Sequence, residues 1–269
     1  MSAIDTCSLC PRLCRTACPV ATGAAREAAV PAQIASAVLA WRQGRLPEEV
    51  VRRAVTSCVD CGACQDLCHL HVPLPEALSA LRRELHTAPA PPTLTVPDAG
   101  HTLLAVTPRE EALGEGYRAA VQEAVGQPVG IWRAPLRLGE GSLEHAHAQG
   151  HLDAVRAAVA GRRVVTSHGG VEAVLRAADV DVVPLWELVG RPPPCGCGTA
   201  DGPLSCCGGR APFAVQHEGD ARRMGAYWAL RDGPRTGLDS RCASHLRASG
   251  VDGVVSFAEA WLKEVTDGS

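Results

Sequence analysis

The fold of this chain is decided by Cys7-Ser8-Leu9-Cys10-Pro11-Arg12-Leu13-Cys14-Arg15-Thr16-Ala17-Cys18-Pro19 and by a second run, Cys58-Val59-Asp60-Cys61-Gly62-Ala63-Cys64-Gln65-Asp66-Leu67-Cys68. In each run, two or three residues separate successive cysteines. Three cysteines at this spacing can wrap one [4Fe-4S] cubane, while the fourth, set back by three residues and often followed by proline, typically reaches the neighbouring cluster. The two runs therefore predict a pair of [4Fe-4S] clusters.

The ligand assignment that follows from this pattern is crossed. One cluster would be held by Cys7, Cys10, Cys14 and Cys68, and the other by Cys58, Cys61, Cys64 and Cys18. Zinc is the alternative, because zinc sites also use Cys-x-x-Cys pairs. Four cysteines per run in ferredoxin order favour iron and sulfide.

Composition limits the classes of protein to which the chain can belong. It has 269 residues, a net charge of -3 and 13 cysteines, too few for a small disulfide scaffold and too many for ordinary intracellular usage. Nothing in the composition indicates nucleic-acid binding. The first residues resemble no signal peptide and no uncharged apolar run reaches about 18 residues, so we expect a cytoplasmic protein with no direct membrane span. Membrane contact would come through a partner.

Lysine usage excludes several cofactors. Lys263 is the only lysine, which argues against a phosphate-binding loop and a pyridoxal Schiff base. No strand is followed by a Gly-x-Gly-x-x-Gly motif. A redox protein without its own nucleotide site would exchange electrons with a flavin-containing dehydrogenase or another redox subunit.

The region between and after the cysteine runs has helical periodicity. We expect helices from Pro31 to Gly44, from Pro47 into Cys58, and after Pro73, the last with leucines recurring on one face. Residues 1–88 are therefore predicted to form an all-helical two-cluster ferredoxin domain. The proline-rich segment 89–98 is predicted to be a linker.

Residues 99–269 alternate strand-like and helix-like segments, which predicts an α/β domain with a parallel sheet. Predicted strands are 102–107, 129–133, 164–167, 180–184, 236–240 and 254–257; predicted helices are 110–125, 143–160, 171–178, 220–231 and 258–265. A weak internal repeat places His168 after one strand and Cys242 after another. This repeat predicts a duplicated βαβ unit.

The C-terminal cysteines carry a family resemblance. Cys206-Cys207-Gly208-Gly209, followed by Cys242-Ala243-Ser244-His245, resembles the CCG domain of heterodisulfide reductase subunits and of the iron-sulfur subunits of glycolate oxidase and glycerol-3-phosphate dehydrogenase. The resemblance implies an α/β CCG-like domain after the ferredoxin module. It also implies a third metal site, an iron-sulfur cluster or zinc, at Cys206, Cys207 and Cys242.

The chain departs from the family pattern at two positions. His245 stands where the family usually has its last cysteine, and His168 stands where an earlier cysteine is expected. His245 is a candidate ligand through an imidazole nitrogen, as in Rieske centres, and Cys195 or Cys197 is a candidate upstream ligand. The alternative for His245 is a hydrogen-bonded residue on the same helix turn.

Other histidines are weaker candidates. His147 and His151 lie four residues apart on a predicted helix, where a solvated polar face is the simpler interpretation. His69 and His71 follow Cys68 and are expected to tune a cluster by hydrogen bonding rather than to bind a ligand.

Three functions fit these patterns. The first is an iron-sulfur electron-transfer subunit of an oxidoreductase complex, passing electrons between a flavin-bearing partner and a quinone, a disulfide or another acceptor. The second is a heterodisulfide reductase-like catalytic subunit that acts on a disulfide at the C-terminal cysteines. The third is a docking adaptor whose C-terminal cluster has been lost.

Overall fold

The computed structural model describes residues 2–10, 13–85, 94, 96, 100–133, 149–191, 217–229, 238 and 240–268. By contact density the chain divides into two compact units. The first unit comprises Met1–Thr87, Gly196–Gly233 and Ser244–Asp252, and the second comprises Ala88–Cys195, Pro234–Ala243 and Gly253–Ser269. The first unit thus includes segments that the prediction assigned to the C-terminal domain. The boundaries 1–88, 89–98 and 99–269 stay a prediction.

The described elements follow in chain order. They are α1 (Ala3–Ser8), α2 (Pro19–Gly23), α3 (Pro31–Arg42), α4 (Glu48–Val55), α5 (Ala63–Asp66), α6 (Leu74–Leu85), β1 (Thr102–Val106), α7 (Pro108–Glu111), α8 (Gly114–Val125), β2 (Val129–Arg133), α9 (Gln149–Val159), β3 (Arg163–Thr166), α10 (Gly169–Ala177), β4 (Val182–Pro184), α11 (Leu185–Leu188), α12 (Glu218–Ala229), α13 (Ser240–Ala248) and α14 (Phe257–Asp267). Short 3-10 helices lie at Leu13–Thr16 and Glu27–Ala29.

The first unit is helical, as predicted. Ser2 caps α1 through a reciprocal pair of hydrogen bonds with Asp5. Pro31 occupies the first turn of α3, where its missing N–H costs nothing, and Gly44 follows the helix with a φ of +69°. The apolar faces of α1, α3, α4 and α6 form one core, whose buried members are Ile4, Ile34, Ala35, Val38, Val51, Val55, Leu74, Leu78, Leu81 and Leu85.

Helix α12 also belongs to the first unit. Its buried Ala221 and Met224 pack with Val20 and Ala24, in a cluster against which Cys18 and Cys61 also pack. Asp220, in the first turn of α12, pairs with Arg26 at 2.5 Å. A helix more than 190 positions downstream thereby contributes to the module that carries the cysteine runs.

The second unit contains a parallel sheet, which confirms the predicted class. The strand order is β2-β1-β3-β4, and all three pairings are parallel. Side chains alternate between the faces of β1, because successive residues of a strand point to opposite sides. Leu103 and Ala105 join a core with residues of α9 and α10. Leu104 and Val106 join a second core with residues of α8, α11 and α14.

The last predicted strands are reduced to a single bridge among the described residues. Leu238 and Ser256 pair in parallel, and Phe257 already begins α14. Ser256 ends the extended segment because its side chain accepts a hydrogen bond from the N–H of Glu259 at 3.3 Å, forming a capping box. Residues 236, 237 and 239 lie outside the described part. The duplicated βαβ unit stays a prediction.

Candidate metal centre

Two cavities in the first unit are lined by the predicted cysteine ligands. The first cavity, about 580 Å³ including its open mouth, has walls that include Cys7, Cys10, Cys14, Cys64 and Cys68. Its remaining lining is mainly apolar, with Pro31, Ala32, Leu67, Leu70, Val72 and Leu74 among the contributors. Two cysteines of the second run, Cys64 and Cys68, thus line a cavity with three cysteines of the first run.

The second cavity is lined by cysteines of the second run together with one cysteine of the first run. It measures about 380 Å³ including its mouth and is lined by Cys18, Cys58, Cys61 and Cys64. The rest of its lining is apolar apart from the backbone, and includes Val20, Ile34, Val59 and Leu78. Cys18, the last cysteine of the first run, therefore lies with the second run. Cys64 lines both cavities.

Local hydrogen bonds fold each run around its cavity. The N–H of Cys10 donates to the carbonyl of Cys7 at 3.3 Å, and the N–H of Cys18 donates to that of Cys14 at 3.1 Å. In the second run, Gly62 is the N-cap residue that precedes α5 and has a φ of +76°, a backbone conformation that glycine adopts without steric cost. Such tight turns bring cysteines that are two or three residues apart in the chain to the same cavity.

The thiols lie in an environment that disfavours isolated thiolates. Burial, with smaller contributions from the neighbouring cysteines Cys14, Cys68 and Cys10, raises the pKa of Cys7 to about 11. Burial likewise raises the pKa of Cys18 to about 11. The pKa values of Cys14, Cys58 and Cys64 are also raised, again mainly by burial. Binding of a cationic centre would favour deprotonation of these thiols, because metals bind thiolates.

The donor set fits a [4Fe-4S] cubane. A zinc ion needs ligand atoms within about 2.0–2.3 Å of one point. In the part of the chain that the structure describes, no three His, Cys, Asp or Glu side chains form such a group. A [4Fe-4S] cluster instead distributes four cysteine ligands over its irons, and a cavity with four or more cysteines in its walls fits that requirement.

An ion pair lies beside the second cavity and was missed by sequence reasoning. Arg82 in α6 is 1% exposed and pairs with Asp60, which lies between Cys58 and Cys61. The N–H of Asp60 donates to Sγ of Cys58 at 3.4 Å. The sequence did contain a sign of a buried charge, because Arg82 interrupts the apolar face of α6 four positions after Leu78.

The histidines beside Cys68 are exposed. His69 contributes to the lining of the first cavity, and His71, with a φ of +46°, donates its N–H to the carbonyl of Cys68 at 2.8 Å. Their predicted tuning of a cluster stays a prediction.

The predicted C-terminal site is only partly covered by the described residues. Cys195, Cys197, Cys206, Cys207 and His147 lie outside them. Cys242, in the second unit, is 3% exposed. His245, in the first unit, has its Nε2 3.1 Å from the carbonyl oxygen of Ala221 on α12. The third metal site stays a prediction.

His168 and His151 are both buried in the second unit. The Nδ1 atom of His168 accepts a hydrogen bond from the N–H of Gly170 at 3.0 Å, so this residue caps α10. His151 lies on α9. Sequence reasoning did not anticipate the capping role of His168.

The comparison with protein families covers the region of both cysteine runs. Residues 3–72 match the family model of a 4Fe-4S dicluster domain. No curated protein and no solved structure matches the chain. The match supports [4Fe-4S] binding and indicates iron-sulfur electron transfer. It ends before α6 and thus leaves out Arg82. No helix in the described ranges is long and apolar enough to cross a bilayer.

Proposed function

We propose that the chain is an iron-sulfur electron-transfer subunit of an oxidoreductase complex, with one [4Fe-4S] cluster in each cavity. Cys7, Cys10, Cys14 and Cys68 would hold the first cluster, and Cys18, Cys58, Cys61 and Cys64 the second. The observation that carries this proposal is the exchange of Cys18 and Cys68 between the two cysteine-lined cavities. When bound, the clusters supply one-electron chemistry.

The residues around the cavities shield the two sites from water, and the two sites lie next to each other. The apolar walls, including Ile34 and Leu78 at the second cavity and Val72 at the first, limit contact with water, and solvent exposure is one factor that sets cluster potential. Cys64 lines both cavities, so the two sites share a wall. Adjacent sites of this kind suit transfer of electrons through the module.

The first cavity is the end that we assign to a protein partner. Leu9, Leu67 and Leu70 are 76%, 51% and 61% exposed, and each lies within two positions of a cysteine that lines this cavity. Leu67 and Leu70 line it themselves. Exposed apolar side chains are typical of interaction surfaces. We propose a flavin-bearing dehydrogenase or another redox subunit as the partner there, with a quinone, a disulfide or another carrier at the other end of the path.

The resemblance to CCG domains extends the proposal to a third site at Cys206, Cys207 and Cys242. The double variant Cys206→Ser with Cys207→Ser, made in the full chain, would then have a lower iron content than the wild type. Unchanged iron in that variant would favour the adaptor alternative for the C-terminal region. Oxidation of the reduced chain by a disulfide, without any partner, would favour the heterodisulfide reductase-like alternative.

Metal analysis of anaerobically purified protein tests the core of the proposal. We expect about eight irons from the two cysteine runs with matching acid-labile sulfide, since each [4Fe-4S] cluster contributes four irons. Reduction should give an electron paramagnetic resonance signal from reduced clusters. Zinc at the cysteine runs with no iron would overturn the proposal.

A further inference from the structure

Arg82 is tied to the second cysteine run through two contacts. Its Nη1 donates to the carbonyl of Val55 at 2.9 Å, at the last residue of α4. Its Nη2 donates to a carboxylate oxygen of Asp60. One buried guanidinium therefore joins α6, the end of α4 and the segment between Cys58 and Cys61.

Asp60 brings that ion pair to a ligand sulfur. Its φ of +53° lies in the left-handed region, where aspartate and asparagine are among the tolerated residues. Its Oδ1 lies 3.5 Å from Sγ of Cys58, which donates to it as a thiol. A cluster-bound thiolate has no proton to donate, so the carboxylate would then face a second negative charge. The positive charge of Arg82 offsets this repulsion.

We propose that Arg82 is a positioning residue for the second cluster site, where it holds Asp60 and the Cys58–Cys64 segment in place and sets the local charge. This inference rests on the proposed function, since it requires a cluster at Cys18, Cys58, Cys61 and Cys64. Reduction adds one negative charge to a cluster. A nearby cation therefore raises the reduction potential, and a nearby anion lowers it.

Charge-changing variants separate this electrostatic role from a purely structural one. Asp60→Asn keeps a residue that tolerates the left-handed conformation and removes the negative charge, so the potential of the second cluster should rise. Arg82→Gln removes the positive charge, so the same potential should fall. The potential of the first cluster should change little in either variant.

Arg83 provides the matched control. It is the next residue of α6, is exposed, and donates to Oγ of Ser79 at 3.1 Å. Arg83→Gln removes the same charge one position away without touching Asp60, and solvent screens an exposed charge. Neither cluster potential should move in this control.

The measurement is a redox titration of the full chain monitored by electron paramagnetic resonance, with iron and sulfide assayed on the same samples. Assignment of the two potentials uses a Cys68→Ser variant. Because Arg82→Gln removes a buried guanidinium from its ion pair with Asp60 and is at risk of unfolding, Arg82→Lys provides a second variant. It should retain the wild-type potential but lose iron from the second site faster during incubation with a chelator.

The outcomes distinguish the inference from the function on which it rests. Opposite shifts in Asp60→Asn and Arg82→Gln, or a rise in Asp60→Asn with fast iron loss in Arg82→Lys, support the role of Arg82. Full iron content with unchanged potential in Asp60→Asn overturns the inference and leaves the proposed function intact. A wild-type chain without iron overturns the proposed function itself.

Discussion

The Nδ1 atom of His217 lies 2.7 Å from Nη1 of Arg26 in the first unit. A guanidinium only donates hydrogen bonds, so Nδ1 must accept and the ring is neutral. Its hydrogen then lies on Nε2, which is 3.1 Å from Oγ1 of Thr56. This neutral ring connects the start of α12 to α4 and to the segment that precedes α3.

The state of His217 predicts a pH dependence of stability. Burial, and then the charge of Arg26, lowers the pKa of His217, while Asp220 opposes the shift and Arg53 adds to it. The unfolded chain therefore binds the proton more tightly than the folded chain does. The stabilisation is fully present above the unfolded pKa of about 6.5 and is lost as the pH falls below it.

His217→Gln should flatten this acid-side loss. We expect the difference in melting temperature between pH 7.5 and pH 5.5 to be smaller in the variant than in the wild type, measured by circular dichroism. The control is His101→Gln, at an exposed position of the second unit. Equal acid sensitivity of His217→Gln and the wild type would contradict a neutral, buried His217.

Two glycines of α12 predict opposite responses to alanine. A Cβ at Gly225 would lie 2.5 Å from Oγ and 2.8 Å from Cβ of Ser249, whereas at Gly219 the nearest atom is 4.0 Å away. Alanine is worth about 1 kcal/mol over glycine within a helix, but overpacking costs about 1–3 kcal/mol. Gly225→Ala should therefore lower the free energy of unfolding and Gly219→Ala should not. Anaerobic urea denaturation tests this, and equal midpoints would contradict the packing of Ser249 against α12.

A buried hydroxyl pair in the second unit predicts a non-additive response. The phenol of Tyr117 donates to Oγ of Ser167 at 3.0 Å, and its ring meets Trp261 edge to face at 6.2 Å. Tyr117→Phe should cost about 1–3 kcal/mol, because it leaves a buried hydroxyl without its partner.

Removing both hydroxyls should cost less than the sum of the single changes. Tyr117→Phe, Ser167→Ala and the double variant form the cycle, measured by chemical denaturation. Additive changes in the free energy of unfolding would mean that the two hydroxyls do not interact.

Double serine variants test the crossed ligand assignment. Cys7→Ser with Cys68→Ser should remove about four irons, since both residues are assigned to one cluster. Cys7→Ser with Cys18→Ser should remove about eight irons, although both residues lie in the first run. The iron content of the wild-type chain is the reference for both double variants. If each run instead held its own cluster, the first double variant would lose about eight irons and the second about four. Iron analysis therefore decides between the crossed and the uncrossed assignment.

The sequence by itself determined the local features of this protein. Cysteine spacing predicted the cluster type, because the reach of a short loop limits which thiols surround one cubane. Apolar periodicity predicted α3, α4 and α6, and alternation of strand and helix predicted the parallel sheet. The strand at Val129–Arg133 was predicted with its observed bounds, since a valine, an isoleucine and a tryptophan there suit a buried strand.

Tertiary structure alone decided which distant residues complete the cysteine module. Arg82 reaches Asp60 across 22 positions, and His217 reaches Arg26 across 191. Periodicity describes only neighbours on the same element, so it cannot show that a buried charge meets its partner on another. The extended segment predicted at 254–257 likewise ends at Ser256 because this residue caps α14, which the apolar run did not indicate. The sequence therefore predicted the cysteine ligands of the site, whereas only the fold showed which charged side chains lie beside them.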